Sequence, residues 1–203
     1  MNGLARTAID PAAYFDEIAK LFARVQVTTP DGATATLSEG VLRAAAVVKE
    51  ATAFGRKLIF IGNGGTAATA SHQAVDYWKN GGMRTLAFND AALLTCISND
   101  FGYEHVFAKP IEMFADRGDV LIAISSSGQS ENILRGVTAA EKAGCRVVTL
   151  SGFAADNPLR GLGDLRFYVP SDAYAHVELL HLSICDAIRD RIIAERLSAV
   201  QER

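Results

Sequence analysis

The chain has 203 residues, 49% of them hydrophobic and 21% charged, which is the balance of an ordinary globular domain. A net charge of −3 argues against a nucleic-acid partner, because a surface that binds nucleic acid usually carries a basic face. The longest apolar runs fall far short of the roughly 20 residues of a membrane helix, so no membrane partner is expected. Three scattered cysteines, and the lack of a signal-peptide core in residues 1–6, indicate a cytoplasmic protein.

Two amphipathic helices are predicted in residues 1–55. In the first, apolar residues recur every three or four positions over 15–25, after the capping pair Asp10-Pro11. A polar loop follows over 28–32, and a second helix is expected over 38–54. Because these helices precede the rest of the pattern, their apolar faces are available to pair with another copy of the chain.

From residue 56 onwards the period changes to that of an alternating α/β protein. Short apolar runs predict buried strands over 58–61, 85–88, 120–124, 147–150 and 165–169. Helical stretches are predicted over 66–78, 132–143 and 173–199. The alternation favours a three-layer αβα sandwich with a mostly parallel, five-stranded sheet over 56–203, so that residues 1–203 form a single domain.

Two loops, residues 62–66 and 125–132, each leave a buried strand and enter a helix. The first is rich in glycine, which lets the backbone approach a ligand beside the partly positive helix N-terminus. The second carries serine hydroxyls that can surround phosphate oxygens without a lysine. Clusters of this kind are also ordinary turn and cap chemistry. Their placement at the carboxyl ends of two strands favours a phosphate site, because open α/β sheets bind ligands there.

A nucleotide site is the alternative for the first loop. The P-loop is excluded, because no lysine follows these glycines. Gly62, Gly64 and Ala67 do fit the dinucleotide fingerprint, with Asp90 further along the chain. That interpretation leaves the serine loop unexplained, so we expect no nucleotide cofactor.

The motifs together resemble the sugar isomerase (SIS) domain family, and within it the sedoheptulose 7-phosphate isomerases, also called phosphoheptose isomerases. The resemblance runs from about residue 15 to residue 192. The pieces that carry it are Gly-Asn-Gly-Gly-Thr at 62–66, His72-x-x-x-Asp76, Ser-Asn-Asp-Phe-Gly-Tyr-Glu at 98–104, the serine loop, and Val177-Glu178-x-x-His181.

This resemblance implies a flavodoxin-like topology and a cytoplasmic homotetramer. It also implies a phosphosugar substrate, sedoheptulose 7-phosphate, converted to D-glycero-D-manno-heptose 7-phosphate for lipopolysaccharide or other surface polysaccharide. The implied phosphate ligands are Gly64, Thr66, Ser125, Ser126, Ser127 and Ser130. Asn63 and Asp100 match family residues that contact the sugar.

A ketose–aldose exchange needs a base near the carbon and an acid or electrophile near the oxygen. His72 and Asp76 are four residues apart, hence on one helix face. The resemblance implies that Asp76 stands where the family has its glutamate base. Glu178 and Asp186 stand where the family has a glutamine and the histidine acid. We therefore expect a divergent member whose catalytic candidates are Asp76, Glu178 and Asp186.

The same positions suggest a metal site. A histidine with three carboxylates could hold a divalent metal such as zinc, which would polarise the sugar carbonyl. The candidate ligands are His72, Asp76, Glu178 and Asp186. Alternatively, Asp186 is one of several charges, with Arg189 and Asp190, on a solvated helix face.

Two other functions remain open from the sequence. One is a non-catalytic SIS protein that binds a phosphosugar in a regulatory role, which the substituted acid and base positions favour. The other is a nucleotide-binding oxidoreductase, which rests on the glycine fingerprint alone.

Overall fold

A computed structural model describes residues 10–201 of the chain, with side chains described through residue 198. The expectation that residues 1–6 contain no signal-peptide core concerns a segment outside the described residues. The helices are α1 (Pro11–Phe22), α2 (Leu37–Ala53), α3 (Gly65–Lys79), α4 (Ala91–Phe101), α5 (Ala108–Phe114), α6 (Glu131–Ala143) and α7 (Tyr174–Gln201). The strands are β1 (Gln26–Thr28), β2 (Thr34–Ala35), β3 (Leu58–Ile61), β4 (Thr85–Ala87), β5 (Val120–Ser125), β6 (Arg146–Ser151) and β7 (Leu165–Tyr168).

The strands form one sheet in the order β2-β1-β7-β6-β5-β3-β4. The five predicted strands pair in parallel from β4 to β7, as expected for βαβ units. The predicted total of five strands is wrong, since β1 pairs antiparallel with β7 and β2 with β1. Of the residues in these two strands only Val27 is buried, so the segment shows no alternating pattern, and pairing with the free edge of β7 decides its conformation.

Helices cover both faces of this sheet, which confirms the three-layer αβα architecture. Alternate residues of β3 point to opposite faces: Leu58 and Phe60 pack under α1, α2, α3 and α7, while Ile59 and Ile61 pack under α5 and α6. All four side chains are fully buried, which explains why the strand is a continuous apolar run.

The helix boundaries follow local capping chemistry. Thr36 and Glu39 form a capping box at the start of α2. The first helix ends at Phe22, earlier than predicted, although Val25 is buried beyond it. Two further helices, α4 and α5, occupy the stretch between β4 and β5. Within residues 10–201, no helix is both long enough and apolar enough to cross a membrane.

Candidate active site

A cleft of about 210 Å³ lies where the carboxyl ends of the neighbouring strands β3 and β5 meet the start of α7. It forms there because parallel strands release both predicted loops at one edge of the sheet. The cleft is lined by Asn63, Gly64, Gly65, Thr66, Ser125, Ser126, Ser127, Ser130, Tyr174 and Glu178. The structure therefore brings together every predicted phosphate residue, and Asn63 with them.

The glycine loop makes a tight turn into α3. The backbone amide of Asn63 donates to Thr66 Oγ1 at 2.8 Å, and the Thr66 hydroxyl donates to the backbone carbonyl of Asn63 at 2.7 Å. Gly64 is the N-cap residue and has φ of 54°, a conformation that side chains disfavour. Gly64 has no side chain to cap α3, and the Thr66 and Ala67 amides donate to the Asn63 carbonyl. Among the described residues, the Gly65 amide is therefore the one at the start of the helix that is left for an anion.

The serine loop presents hydroxyls on the other wall. Ser125 Oγ accepts a hydrogen bond from the Gly128 amide at 3.1 Å and lies 3.5 Å from Ser130 Oγ. Ser126 is buried, and its hydroxyl has no hydrogen-bond partner among the described residues. An unpaired buried hydroxyl costs about 1–3 kcal/mol, so a ligand oxygen in the cleft would satisfy it.

Glu178 is the one predicted catalytic carboxylate that lines this cleft. It projects from the first turns of α7 against the start of α3. A Cβ atom added at Gly65 would lie 2.5 Å from Glu178 Oε2, so only glycine allows this approach. The carboxylate is thus held beside both loops, within reach of a bound ligand.

Asp76 and Asp186 lie further along α3 and α7, outside the residues that line the cleft. Both carboxylates accept a hydrogen bond from Nη1 of Arg189 at 2.8 Å. Nε2 of His72 lies 3.5 Å from Asp76, and the Gln73 amide donates to Asp186 at 2.8 Å. An arginine-centred ion-pair cluster therefore joins the two helices.

Asp100 also lies apart from the cleft lining. It is exposed near the end of α4, where its carboxylate accepts hydrogen bonds from Asn99 Nδ2 at 2.9 Å and Cys96 Sγ at 3.6 Å. Asp100 does not line the cleft of this chain, and its predicted contact with the sugar stays a prediction.

Comparison with known proteins agrees with this geometry. The sequence profile of the SIS domain matches residues 13–152. The phosphoheptose isomerase of Proteus mirabilis is 35% identical over 157 residues, which cover 72% of this chain and 81% of that protein. The phosphoheptose isomerase of Photorhabdus laumondii is 37% identical over the same shares. The chain belongs to the SIS domain family, among the phosphoheptose isomerases. The solved phosphoheptose isomerase of Neisseria gonorrhoeae superposes with a TM-score of 0.79 at 30% identity, covering 90% of this chain and 96% of that one.

The four predicted metal ligands of this phosphoheptose isomerase family member do not form one set. Within residues 10–198, no three His, Cys, Asp or Glu side chains are arranged to hold a metal ion. Arg189 lies between Asp76 and Asp186, while Glu178 is eight residues away on α7 and packs on Gly65. In this arrangement the Arg189 guanidinium lies between Asp76 and Asp186, and metal binding by the four side chains stays a prediction.

His181 of this SIS domain is a structural residue. It is fully buried, and its Nε2 lies 3.2 Å from the carbonyl oxygen of Ser151. Burial lowers the pKa of His181 to about 4, so the ring is neutral at physiological pH.

Sequence reasoning missed three residues around the cleft. Asn132 and Asn63 exchange two amide hydrogen bonds of 2.9 Å, and the Tyr103 hydroxyl donates to Asn63 at 3.0 Å. Asn63, Asn132 and Tyr103 line an adjoining hollow of about 550 Å³. Tyr103 ends the Asn-Asp-Phe-Gly-Tyr motif and Asn132 ends the serine loop, so both motifs carried a signal. Tyr174, the third residue missed, lines the main cleft, and no motif pointed to it.

Proposed function

We propose that this protein is an aldose–ketose isomerase that converts sedoheptulose 7-phosphate to D-glycero-D-manno-heptose 7-phosphate. Membership of the phosphoheptose isomerases supports the reaction class. The observation that carries the proposal in this chain is the unpartnered Ser126 hydroxyl, buried in a cleft formed by two anion-binding loops.

The phosphate is held by neutral donors. The Gly65 amide at the start of α3 and the serine hydroxyls supply several hydrogen bonds, and the helix N-terminus supplies partial positive charge. Among the described residues, no lysine or arginine lines this cleft. A phosphomonoester fits such a lining, because its three oxygens accept from many directions.

Glu178 is the base in this proposal, because it is the candidate carboxylate that lies at the phosphate cleft. The carboxylate takes a proton from C1 of the ketose, the electron pair passes to the C1–C2 bond, and the carbonyl oxygen is protonated to give an enediol. Glu178 then returns its proton to C2, and O1 loses a proton to solvent, which balances the solvent proton gained by the carbonyl oxygen and gives the aldose. Asp76 and Asp186, predicted as catalytic, are assigned here to holding α3 and α7 together through Arg189.

We also infer a cytoplasmic homotetramer that supplies heptose for surface polysaccharide, from the likeness to the family. Exposed apolar side chains on helices, including Leu42 on α2 and Trp78 on α3, support self-association. Light scattering coupled to size exclusion tests the subunit number.

The decisive experiment incubates purified protein with sedoheptulose 7-phosphate and follows the aldose by NMR. We expect turnover by the native protein and a loss of about 10²–10⁴-fold in kcat for Glu178→Gln, which is isosteric but cannot take the proton. Ser183→Ala is the control, because its hydroxyl only donates to the Leu179 carbonyl within α7. A native protein that binds the sugar phosphate without turnover would instead be a phosphosugar-binding protein.

A further inference from the structure

The guanidinium of Arg189 is the centre of the cluster that joins α3 to α7. Its Nη1 lies 2.8 Å from Asp76 Oδ2 on α3 and 2.8 Å from Asp186 Oδ1 on α7. Its Nη2 lies 2.9 Å from Asp190 on its own helix. The Arg189 side chain is only 12% exposed, so this is a largely buried cation among three carboxylates.

Asp76 and Asp186, the carboxylates that join α3 to α7, both have hydrogen-bond or ion-pair partners. Asp186 Oδ1 accepts from both Arg189 and the fully buried Gln73 amide. Asp76 Oδ2 lies between Arg189 and the imidazole of His72. An ion bound by both carboxylates would have to take the position of Nη1, and arginine cannot deprotonate to make room for it.

We propose that Arg189 is a built-in cation that replaces a divalent metal between Asp76 and Asp186. It lies between two carboxylates that the sequence pattern puts at a metal position, and its single charge offsets part of theirs. With Arg189 in place, His72, Asp76 and Asp186 are not arranged to hold an ion, and the guanidinium repels one. They would converge on an ion only once that charge is removed.

Arg189 is also a positioning residue, a role that rests on the proposed isomerase function. Helix α3 begins at Gly65 and α7 carries Glu178, and these two residues touch in the cleft. By tying α3 to α7 about three turns further along, Arg189 fixes the spacing between the phosphate loop and the proposed base.

Metal binding tests the proposal without reference to activity. Native protein, Arg189→Gln, Asp190→Asn and the double variant Arg189→Gln/Asp186→Asn are dialysed against zinc and analysed for bound metal. Glutamine keeps an amide donor but removes the charge. Asp190→Asn is the matched control, because Asp190 contacts the same guanidinium but is exposed and does not bridge the helices.

We expect native protein and Asp190→Asn to retain under a tenth of an equivalent of zinc. Arg189→Gln should gain close to one equivalent, and the double variant should lose it again. If Arg189→Gln fails to fold while Asp190→Asn folds, the cation is required to hold the carboxylates together, which supports the proposal.

The proposal is overturned if native protein holds one equivalent of zinc that Asp186→Asn removes, or if folded Arg189→Gln gains none. Neither result depends on turnover, so failure of this inference is distinct from failure of the proposed isomerase function. For an active enzyme, added zinc should leave native kcat unchanged, whereas Arg189→Gln should lower kcat more than it changes KM.

Discussion

Replacing Gly65 by alanine tests the contact that places the proposed base. The added Cβ would lie 2.5 Å and 2.7 Å from the two carboxylate oxygens of Glu178, where ordinary contact begins at 3.4 Å. Gly65 has no positive φ, so alanine fits the backbone, and the flexible carboxylate must yield by about 0.9 Å. A displacement near 1 Å costs about 10²-fold in rate, which corresponds to about 2.7 kcal/mol of barrier.

Stability should respond far less than activity. Alanine in a helix is favoured over glycine by up to about 1 kcal/mol, which offsets the rearrangement of one flexible side chain. We therefore expect Tm to change by no more than about 4 °C. Steady-state assays should show kcat reduced about 100-fold and KM nearly unchanged, because alanine keeps the backbone of residues 62–66 and leaves the serine loop unaltered.

Gly161→Ala is the matched control for this change. Gly161 also lacks a positive φ, and a Cβ there meets nothing within 4 Å. It should keep native kcat. Full kcat in folded Gly65→Ala protein would refute Glu178 as the base, because a carboxylate moved by that distance cannot keep its alignment with the carbon.

The remaining predictions address binding and stability. Ser126→Ala should raise KM about tenfold with little change in kcat, because a hydrogen bond to the phosphate is lost. Tm should be unchanged or higher, because the removed hydroxyl is unpartnered in the free protein. An unaltered KM would exclude Ser126 from the phosphate site. Lys57→Met should cost about 3–5 kcal/mol in urea unfolding, because Asp119 is fully buried and loses its 2.6 Å ion-pair partner; a cost under 1 kcal/mol would contradict this. Burial lowers the pKa of His181 to about 4 in the folded protein, whereas the unfolded chain binds the proton near pH 6.5. The stability that the neutral ring contributes is therefore lost as pH falls from about 6.5 to 4. Between pH 7 and pH 5 this amounts to roughly 2 kcal/mol, and His181→Gln should remove that part of the slope, whereas an unchanged slope would assign it to other groups.

Much of the site was predictable because its signals are local. The run Leu58 to Ile61 followed by glycines indicates a buried strand that ends in a tight turn, and the serine loop after β5 repeats that arrangement. Strand neighbours in a parallel sheet release their loops at one edge, so the meeting of Thr66 with Ser126 followed from topology alone.

The hairpin of β1 and β2 was not predictable on these grounds. It is short and polar, and only Val27 gives it a buried side chain. Its strand conformation comes from hydrogen bonds to β7, a partner about 140 residues distant, rather than from a pattern within the segment.

The residue pattern predicts the α/β class, the two loops at the ends of β3 and β5, and the resemblance to the phosphoheptose isomerases. It also placed His72 and Asp76 on one helix face, because a four-residue spacing fixes that angle. Which residues of α7 meet His72 and Asp76 cannot be predicted from that spacing, because it depends on how the two helices pack and how far a long side chain reaches. Arg189 reaches Asp76 and Asp186 and holds both, while Glu178 reaches the cleft over Gly65. Two of the four candidate metal ligands, Asp76 and Asp186, thus lie in an ion-pair cluster with Arg189.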